Sequence, residues 1–332
     1  GHDHTAGMSA SGAGGVSGSS GMSSAGMGGS AGAHMHGGLE VTLPLPAFKA
    51  GRTEYIVRAD RAPAKDQGGI GAARTRCYVT SENFDDAIVF PGMPGMAHLH
   101  QYAGADHVTA AGIDPASLGS CRGGAVNLSA YWWPSLLTPA GVVQRPLYMD
   151  WYAKASHYDL NGTPPVSLPP HGLKMLAGDM THTQANPQGT RYVYWSCGET
   201  DGGGRFAGIP TNCSDPIIGA HVFFPQCSNG QLDSSDHRSH LSYPVNGACP
   251  ATHPTLLPSI SFHWYFRNAP AGSKLSCDSP TMAGGYCLHA DEIFGWREDI
   301  FQSMLDACVN TGLSCGSDLI GNGQSLGIFE GN

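Results

Sequence analysis

Histidine and carboxylate side chains that can bind a metal ion recur in short groups along this sequence. Imidazole and carboxylate are common ligands of zinc, copper and manganese ions. His98 and His100 stand two residues apart, so on a strand both rings project from the same face. These groups either share a metal site, or each histidine satisfies a buried hydrogen bond in a polar core. The candidate metal ligands of the core are His98, His100, Asp179, Asp236, His237, His240 and His289.

A second set of donors lies within the first 38 residues, where methionine joins histidine. Thioether sulfur favours Cu(I) and imidazole favours Cu(II), so this set predicts copper, while the core set suits either zinc or copper. The alternative is a low-complexity segment that contains methionine by chance. The tail candidates are His2, His4, His34, Met35 and His36.

Other catalytic chemistries have weaker support, and the sequence assigns no catalytic residue. No serine has the strand-to-helix context of a nucleophile elbow, and no Gly-x-Gly-x-x-Gly follows a strand. We therefore expect neither a serine hydrolase nor a nucleotide cofactor. Cleavage of a glycoside by paired carboxylates remains an alternative. The carboxylates available for it are Asp179, Asp236, Asp291 and Glu292.

Composition and charge exclude two classes of partner. The chain has 332 residues and a formal net charge of −9 without any basic run, whereas nucleic-acid binding requires clustered Lys and Arg. No stretch approaches the roughly 18 uninterrupted apolar residues of a membrane span. The partners that remain are other copies of the chain, in a homo-oligomer or polymer, and cell-surface polysaccharide.

The ten cysteines are even in number and lack the doubled Cys-x-x-Cys spacing of zinc sites, which favours disulfides and an oxidising compartment. We therefore expect a secreted, extracellular or cell-surface protein, in a mature form because the chain opens without a signal peptide. Bridges between neighbours, such as Cys227–Cys249, Cys277–Cys287 and Cys308–Cys315, are the simplest pairing among many. The cysteines are Cys77, Cys121, Cys197, Cys213, Cys227, Cys249, Cys277, Cys287, Cys308 and Cys315.

Short β-branched and aromatic runs, each close to Pro, Gly, Asn or Asp, predict many short strands. Residues 260–266 alternate most clearly between apolar and polar side chains. Residues 293–308 instead repeat apolar side chains every three or four positions, which predicts an amphipathic helix that ends near Gly312. We predict a mainly β, disulfide-stapled β-sandwich or jelly-roll-like domain with a few short helices and one C-terminal amphipathic helix. The other predicted strands are residues 39–43, 55–57, 88–90, 147–152, 192–195 and 221–224.

A change in composition divides the chain after residue 38. Residues 1–38 consist almost wholly of Gly, Ser, Ala, Met and His and cannot bury enough apolar surface to fold alone. We predict an extended low-complexity tail there and the β-rich domain over residues 39–332. Because such small residues allow close backbone packing, the tail predicts assembly with neighbouring subunits; a flexible linker is the alternative.

Several segments of the β-rich region carry a family resemblance: residues 97–101, 129–134, 172–179, 224–227, 232–244, 249–254, 289–291 and 295–296. Together they resemble the DUF1996 family of secreted proteins, over most of the chain from Cys77 to Cys308. The resemblance implies a secreted domain but no established reaction. Gln101 stands where the family often has an acidic residue, which weakens the transfer of a catalytic role to that position. The site residues that the resemblance implies are His98, His100, Asp236, His237 and His240.

Three functions follow. The leading hypothesis is a secreted structural or surface protein, not an enzyme, that self-assembles into a filament, sheath or other homopolymer through its tail, with accessory metal binding by His and Met. The first alternative is a secreted carbohydrate-active or metal-dependent enzyme that uses the His/Asp cluster. It predicts a cavity where His98, His100, His237 and His240 converge with an open ligand position. The second alternative is an extracytoplasmic copper-binding protein.

Overall fold

The computed structural model describes residues 53–65, 68–156 and 159–328, without the side chain of Asp201, and the backbone of His34–His36 and Leu39–Val41. The predicted assembly through the tail and the predicted copper site there lie outside the described residues. This applies to His2, His4 and the side chains of His34, Met35 and His36.

The described backbone forms short strands, one α-helix and three 3-10 turns. The first twelve strands are β1 (His34–His36), β2 (Leu39–Val41), β3 (Ile56–Arg58), β4 (Ala64–Lys65), β5 (Ala72–Cys77), β6 (Ser81–Asn83), β7 (His100–Gly104), β8 (Val108–Thr109), β9 (Gly112–Ile113), β10 (Ala130–Pro134), β11 (Leu136–Leu137) and β12 (Val143–Gln144). The next twelve are β13 (Met149–Lys154), β14 (Lys174–Gly178), β15 (Val193–Cys197), β16 (Ile217–Phe223), β17 (Cys227–Ser228), β18 (Leu241–Ser242), β19 (Thr255–Leu256), β20 (Ser259–Arg267), β21 (Lys274–Leu275), β22 (His289–Ile293), β23 (Leu313–Ser314) and β24 (Gln324–Leu326). Helix α1 spans Glu298–Ala307, and the 3-10 turns span Gly124–Val126, Asp201–Gly203 and Val309–Thr311.

Two large sheets carry the architecture. The seven-stranded sheet has the order β15-β16-β20-β13-β5-β23-β4, and the five-stranded sheet has the order β14-β22-β10-β7-β6. Within them, β23 and β5 pair in parallel, and the other neighbours pair antiparallel. The runs predicted at residues 147–152, 192–195, 221–224 and 260–266 overlap strands β13, β15, β16 and β20, the long strands of the larger sheet.

The two sheets pack face to face, which confirms the predicted β-sandwich. The ring centroids of Trp133 on β10 and Trp264 on β20 are 5.0 Å apart, and those of Tyr131 and Phe262 on the same strands are 5.1 Å apart. Aromatic pairs at such separations add about 0.5–1.5 kcal/mol beyond the apolar area that they bury. Because side chains alternate along a strand, every second side chain of β10 and of β20 points into the core between the sheets.

Helix α1 packs against this core through four buried side chains: Ile300, Phe301, Met304 and Leu305. The predicted amphipathic helix is therefore confirmed, but it begins at Glu298 rather than at Ile293. Ile293 belongs to β22, where it pairs with Ala130 and Lys174. Within the described residues, no helix is long and apolar enough to cross a membrane.

The strand predicted at residues 88–90 is wrong, because this segment forms a turn. Asp86 Oδ1 accepts the backbone N–H groups of Ile88 and Val89 at 2.8 and 2.7 Å, so the chain closes on itself here. The apolar side chain of Ile88 packs with Trp132 in a small cluster on the outer face of the five-stranded sheet. The turn and this cluster cover the face that carries the site described below.

The ten cysteines form five disulfides, as predicted. The three bridges expected between neighbours are all present. The bridges are Cys77–Cys121, Cys197–Cys213, Cys227–Cys249, Cys277–Cys287 and Cys308–Cys315. Each typically stabilises a fold by about 2–4 kcal/mol, mainly by restricting the unfolded chain, which suits a domain whose strands are mostly short.

Candidate metal centre

Four donor side chains meet on the outer face of the five-stranded sheet, turned away from the sandwich core. His100 begins β7 and His98 precedes it by two residues, while His289 and Asp291 lie on β22, with β10 between the two strands. Because side chains alternate along an extended chain, each pair spaced by two residues projects from one face. The sheet thus brings together two pairs that are 191 residues apart in the sequence.

The three histidine rings lie in mutual contact. The ring centroid of His98 is 4.2 Å from that of His100 and 5.0 Å from that of His289, and the His100 and His289 centroids are 6.0 Å apart. One ligand atom from each of His100, His289 and Asp291 lies within 4.8 Å of the others. A zinc ion lies about 2.0–2.2 Å from its nitrogen and oxygen ligands. These three side chains could therefore hold a metal ion after a small adjustment.

Backbone carbonyl groups orient two of the imidazole rings. His100 Nδ1 lies 2.9 Å from the carbonyl oxygen of Asp85, and His289 Nδ1 lies 2.7 Å from that of Cys287. Since a carbonyl can only accept a hydrogen bond, both Nδ1 atoms carry the proton, and in the neutral rings each Nε2 presents a lone pair. His100 Nε2 is buried and has no hydrogen-bond partner in the described ranges of the chain. Hydrogen bonds of this kind orient the histidine ligands of metal ions in proteins.

Asp291 is fully buried, and neither of its carboxylate oxygens has a hydrogen-bond partner among the residues that the structure describes. Burial, followed by the negative charge of Asp86, raises the pKa of Asp291 well above its ordinary value. An isolated buried carboxylate is costly unless a cation or hydrogen-bond donors compensate it. Asp86 does not supply such donors, because its own Oδ1 accepts hydrogen bonds from the turn at Ile88 and Val89.

The imidazole rings are held in the neutral form that binds metal ions. Burial lowers the pKa of His100, and burial followed by the charge of His100 lowers the pKa of His289 to about 4. Both rings are therefore neutral at pH 7. Glu292 follows on β22 but points to the opposite face, where burial raises its pKa to about 8 and Trp151 Nε1 lies 3.4 Å from its Oε2. Glu292 therefore belongs to the sandwich core and not to this site.

A cavity of about 180 Å³ opens above these donors. The lining residues that bear on its chemistry are Asp86, His98, His237, Arg238, His289 and Asp291. A wider cleft of about 500 Å³ lies beside it and shares Phe90, Ala97, His98 and Met180 with its wall. His98, His289 and Asp291 thus face a space that a small molecule can enter.

The loop between β17 and β18 holds the second predicted group, Asp236, His237 and His240, but only part of it reaches the cavity. His237 and Asp236 line the cavity wall. His237 Nδ1 lies 2.9 Å from Asp233 Oδ1, and Asp236 Oδ1 accepts hydrogen bonds from its own loop. Asp236 and His237 thus line the cavity, but among the described residues neither belongs to a group of three donors close enough to share an ion.

The remaining two predicted ligands make structural hydrogen bonds. His240 is fully buried, and its ring nitrogens lie 3.0 Å from Ser234 Oγ and 2.7 Å from the Lys174 carbonyl oxygen. Asp179 Oδ1 accepts the Thr181 N–H and hydroxyl at 2.8 and 2.7 Å. Among the described residues, neither His240 nor Asp179 belongs to a group of three donors close enough to share an ion, so their role as metal ligands stays a prediction.

Cys277 also has a ligand atom near His98 and His289, but it is bonded to Cys287. A disulfide sulfur lacks the thiolate charge with which cysteine binds metal ions, so we assign Cys277 no ligand role.

The core metal candidates chosen from the sequence include His289 but leave out Asp291, although a signal for both was present. His289 and Asp291 repeat the two-residue spacing of His98 and His100, which places both on one face of a strand. Arg238 and Asp86 were missed for a different reason. Neither has a spacing that points to a site, and only the folded loops bring them to the cavity.

Comparison with known proteins identifies a family but no characterised relative. The model of a family described as "Domain of unknown function (DUF1996)" matches residues 86–296, which is well over half of the chain. The matched segment contains His98, His100, His289, Asp291 and the loop with Arg238. No curated protein and no solved structure matches the chain.

Proposed function

The chain belongs to the DUF1996 family, and on that premise we propose that its domain is a secreted, metal-dependent hydrolase whose metal ion is bound by His100, His289 and Asp291. This is the enzyme alternative of the sequence analysis, with a different ligand set. The observation that carries the proposal is the fully buried Asp291 carboxylate. Within the described part of the chain it has no hydrogen-bond partner for either oxygen, and it lies beside two neutral imidazoles.

A bound cation accounts for this arrangement better than a purely structural role. Burying a carboxylate without a compensating cation or hydrogen-bond donors costs several kcal/mol, and a bound divalent ion would offset that cost. Two histidines and one carboxylate with an adjacent cavity match the composition of catalytic zinc sites, which keep one ligand position open. Zinc is therefore the ion that we propose. When bound at such a site, it lowers the pKa of a water ligand to about 7 and so supplies a nucleophile.

The protein's own residues would bind and orient the reactants. The carbonyl groups of Asp85 and Cys287 hold the two imidazoles in the tautomer that presents Nε2. The turn at residues 86–90 covers the site from one side, and its apolar side chains limit access by bulk water, which strengthens electrostatic interactions inside. The adjoining cleft of about 500 Å³ offers room for the larger part of a substrate.

Secretion is part of the proposal and is supported by the five disulfides. Such bridges form and persist in oxidising compartments and are rare in the cytosol. Cell-surface polysaccharide as a partner stays a prediction, as does a carbohydrate substrate.

Metal titration tests the proposal. We expect protein stripped with a chelator to bind one Zn²⁺ per domain, measured by isothermal titration calorimetry and elemental analysis. Zinc at a hundred times its Kd should add about 2.7 kcal/mol to the free energy of unfolding. Replacing the ligand His289→Ala should weaken zinc binding at least about a hundredfold.

The matched control is His171→Ala, which removes an exposed imidazole outside the cavity and should leave zinc binding unchanged. Hydrolysis of a panel of chromogenic carboxylic and phosphoric esters should then depend on added zinc in the wild type. A wild-type protein that binds no zinc, or a His289→Ala variant that binds it equally well, contradicts the metal site. Zinc binding without zinc-dependent hydrolysis contradicts the assignment as a hydrolase.

Assembly through the tail stays a separate prediction, because residues 1–33 lie outside the described part of the chain. Deleting residues 1–38 is expected to leave a folded monomer and to abolish polymers of the purified protein. Electron microscopy and sedimentation of the full chain beside the deletion variant measure this. A full-length protein that stays monomeric, or a deletion variant that still polymerises, would show that the tail does not drive assembly. Tail copper binding is tested on the same two proteins by copper content.

A further inference from the structure

We propose that Arg238 forms, together with the metal centre, a subsite for an oxyanion, so that the substrate carries a phosphate, sulfate or carboxylate group. This inference rests on the proposed metal-dependent function and names the chemical class that its site would accept. It is carried by the position of one guanidinium group, by the absence of a carboxylate partner for it among the described residues, and by the rigidity of the loop that presents it.

The Arg238 guanidinium lies directly beside the metal centre. Its Nη2 atom donates a hydrogen bond to the carbonyl oxygen of Gly178 at 2.8 Å, and Gly178 pairs with His289 across strands β14 and β22. The two backbones are in close contact, since a Cβ atom on Gly178 would lie only 2.7 Å from His289 Cα. Arg238 and Asp291 line the same cavity. The guanidinium group is therefore anchored next to a proposed metal ligand.

Most of the hydrogen-bonding capacity of Arg238 is unused. A guanidinium has five N–H donors, and the described residues give the Arg238 side chain one hydrogen bond, to Gly178. Among those same residues Arg238 forms no salt bridge. Asp179 lies near enough for the Arg238 charge to help lower the pKa of the Asp179 carboxyl, but the hydrogen bonds from Thr181 lower it more. Arginine binds phosphate and carboxylate groups through two parallel N–H bonds, and Arg238 retains the donors for such a bond.

The loop that presents Arg238 is held in one conformation by its own side chains. Asp236 Oδ1 accepts hydrogen bonds from Ser234 Oγ, Arg238 N, Ser239 N and Ser239 Oγ at 2.7–3.1 Å. His237 has a backbone φ of 56°, which is uncommon for a residue other than glycine. Holding a residue there costs free energy that the surrounding contacts must offset. A loop fixed in this way presents its donors without a large loss of entropy on binding.

The charges around the cavity predict that an anion binds much more tightly when the metal is present. The cavity wall contains three carboxylates, Asp86, Asp236 and Asp291, and one guanidinium, Arg238. Without a metal ion, Asp86 and Asp236 already outnumber the single guanidinium and repel a second anion. A divalent ion removes this excess and offers a ligand position, so that an oxyanion could contact the ion and the guanidinium together. A cavity of about 180 Å³ accepts such a group while the rest of the substrate occupies the cleft.

Inorganic phosphate is the probe for this subsite. We expect protein loaded with one equivalent of Zn²⁺ to bind phosphate in a calorimetric titration, and metal-free protein to bind it at least about tenfold more weakly. Replacing Arg238→Gln should weaken phosphate binding at least about tenfold while it changes zinc affinity by less than about threefold. Arg238→Lys should restore binding only partly, because lysine keeps the charge but not the paired donors.

The control is Arg267→Gln, which removes an exposed arginine at the end of β20 and should leave phosphate binding unchanged. Because Arg238 is exposed at the surface of its loop, the variants are expected to fold, and their circular dichroism and zinc affinity verify this. Zinc-loaded wild type that binds no phosphate, or an Arg238→Gln variant that binds it as tightly as wild type, overturns the subsite and leaves the metal centre intact. Failure to bind zinc at all appears before phosphate is added and overturns the proposed function itself.

Discussion

An Asp291→Asn variant is expected to lose zinc binding and, at the same time, to be more stable than the wild type without metal. Asparagine keeps the size of the side chain but removes the negative charge. Loss of an anionic ligand should reduce zinc affinity at least about a hundredfold, which is about 2.7 kcal/mol. In the presence of a chelator, the free energy of unfolding should rise by at least about 1 kcal/mol, because the uncompensated buried carboxylate is gone.

The opposite signs of these two effects separate a ligand from a structural residue. A carboxylate that served the fold alone would have partners, and its replacement would destabilise the protein. Calorimetric zinc titration and urea unfolding with and without zinc measure both effects. Asp306→Asn, an exposed substitution on helix α1, serves as the control and should change neither quantity by more than about 0.5 kcal/mol. An Asp291→Asn variant that is less stable than the wild type without metal would argue against the proposed role.

A Gly178→Ala variant is expected to lose both stability and zinc affinity, although Ala adds only one methyl group. Gly178 has a backbone φ of +79°, and a Cβ atom there would lie 2.4 Å from the Leu288 carbonyl oxygen and 2.7 Å from His289 Cα. The left-handed conformation costs a residue with a Cβ atom about 1–2 kcal/mol, and the clash with backbone atoms adds to it. We expect a loss of at least about 2 kcal/mol in the free energy of unfolding.

The same clash should disturb the metal centre, since β22 must shift where it carries His289. A shift of a ligand usually reduces metal affinity about tenfold or more. Urea unfolding and zinc calorimetry provide the two measurements. The matched control is Gly189→Ala, where a Cβ atom would meet nothing within 4 Å. That variant should stay within about 0.5 kcal/mol of the wild type. Equal behaviour of the two variants would mean that β14 can move away from β22 without cost.

Much of the fold could be predicted because its signals are local. The alternation over residues 260–266 predicted β20, and the three- and four-residue spacing after residue 293 predicted helix α1. The errors arose where tertiary pairing or a side chain overrides such a signal. Ile293 continues the helical spacing but pairs in the sheet. Residues 88–90 have the composition of a strand, but the Asp86 carboxylate bonds their backbone into a turn.

The candidate site could be predicted only in part, because a spacing indicates a face but not a neighbour. The spacing of His98 and His100 predicted two rings on one face, and the rings are in contact. Residue spacing alone does not indicate whether this pair joins His289 and Asp291 or His237 and His240. The order of strands in the five-stranded sheet makes that choice, and it depends on contacts between residues far apart in the chain.

The sequence by itself determined the chemistry that the protein can carry: the donor types, the disulfides, the β-rich class and the family. These follow from the composition and from spacings of a few residues, which do not depend on how distant segments pack. Only the tertiary structure decided which donors share a site. It buried Asp291 without a hydrogen-bond partner among the described residues, engaged both ring nitrogens of His240, and anchored Arg238 beside His289. Each of these outcomes depends on which strands become neighbours, and the packing of the whole sandwich sets that order.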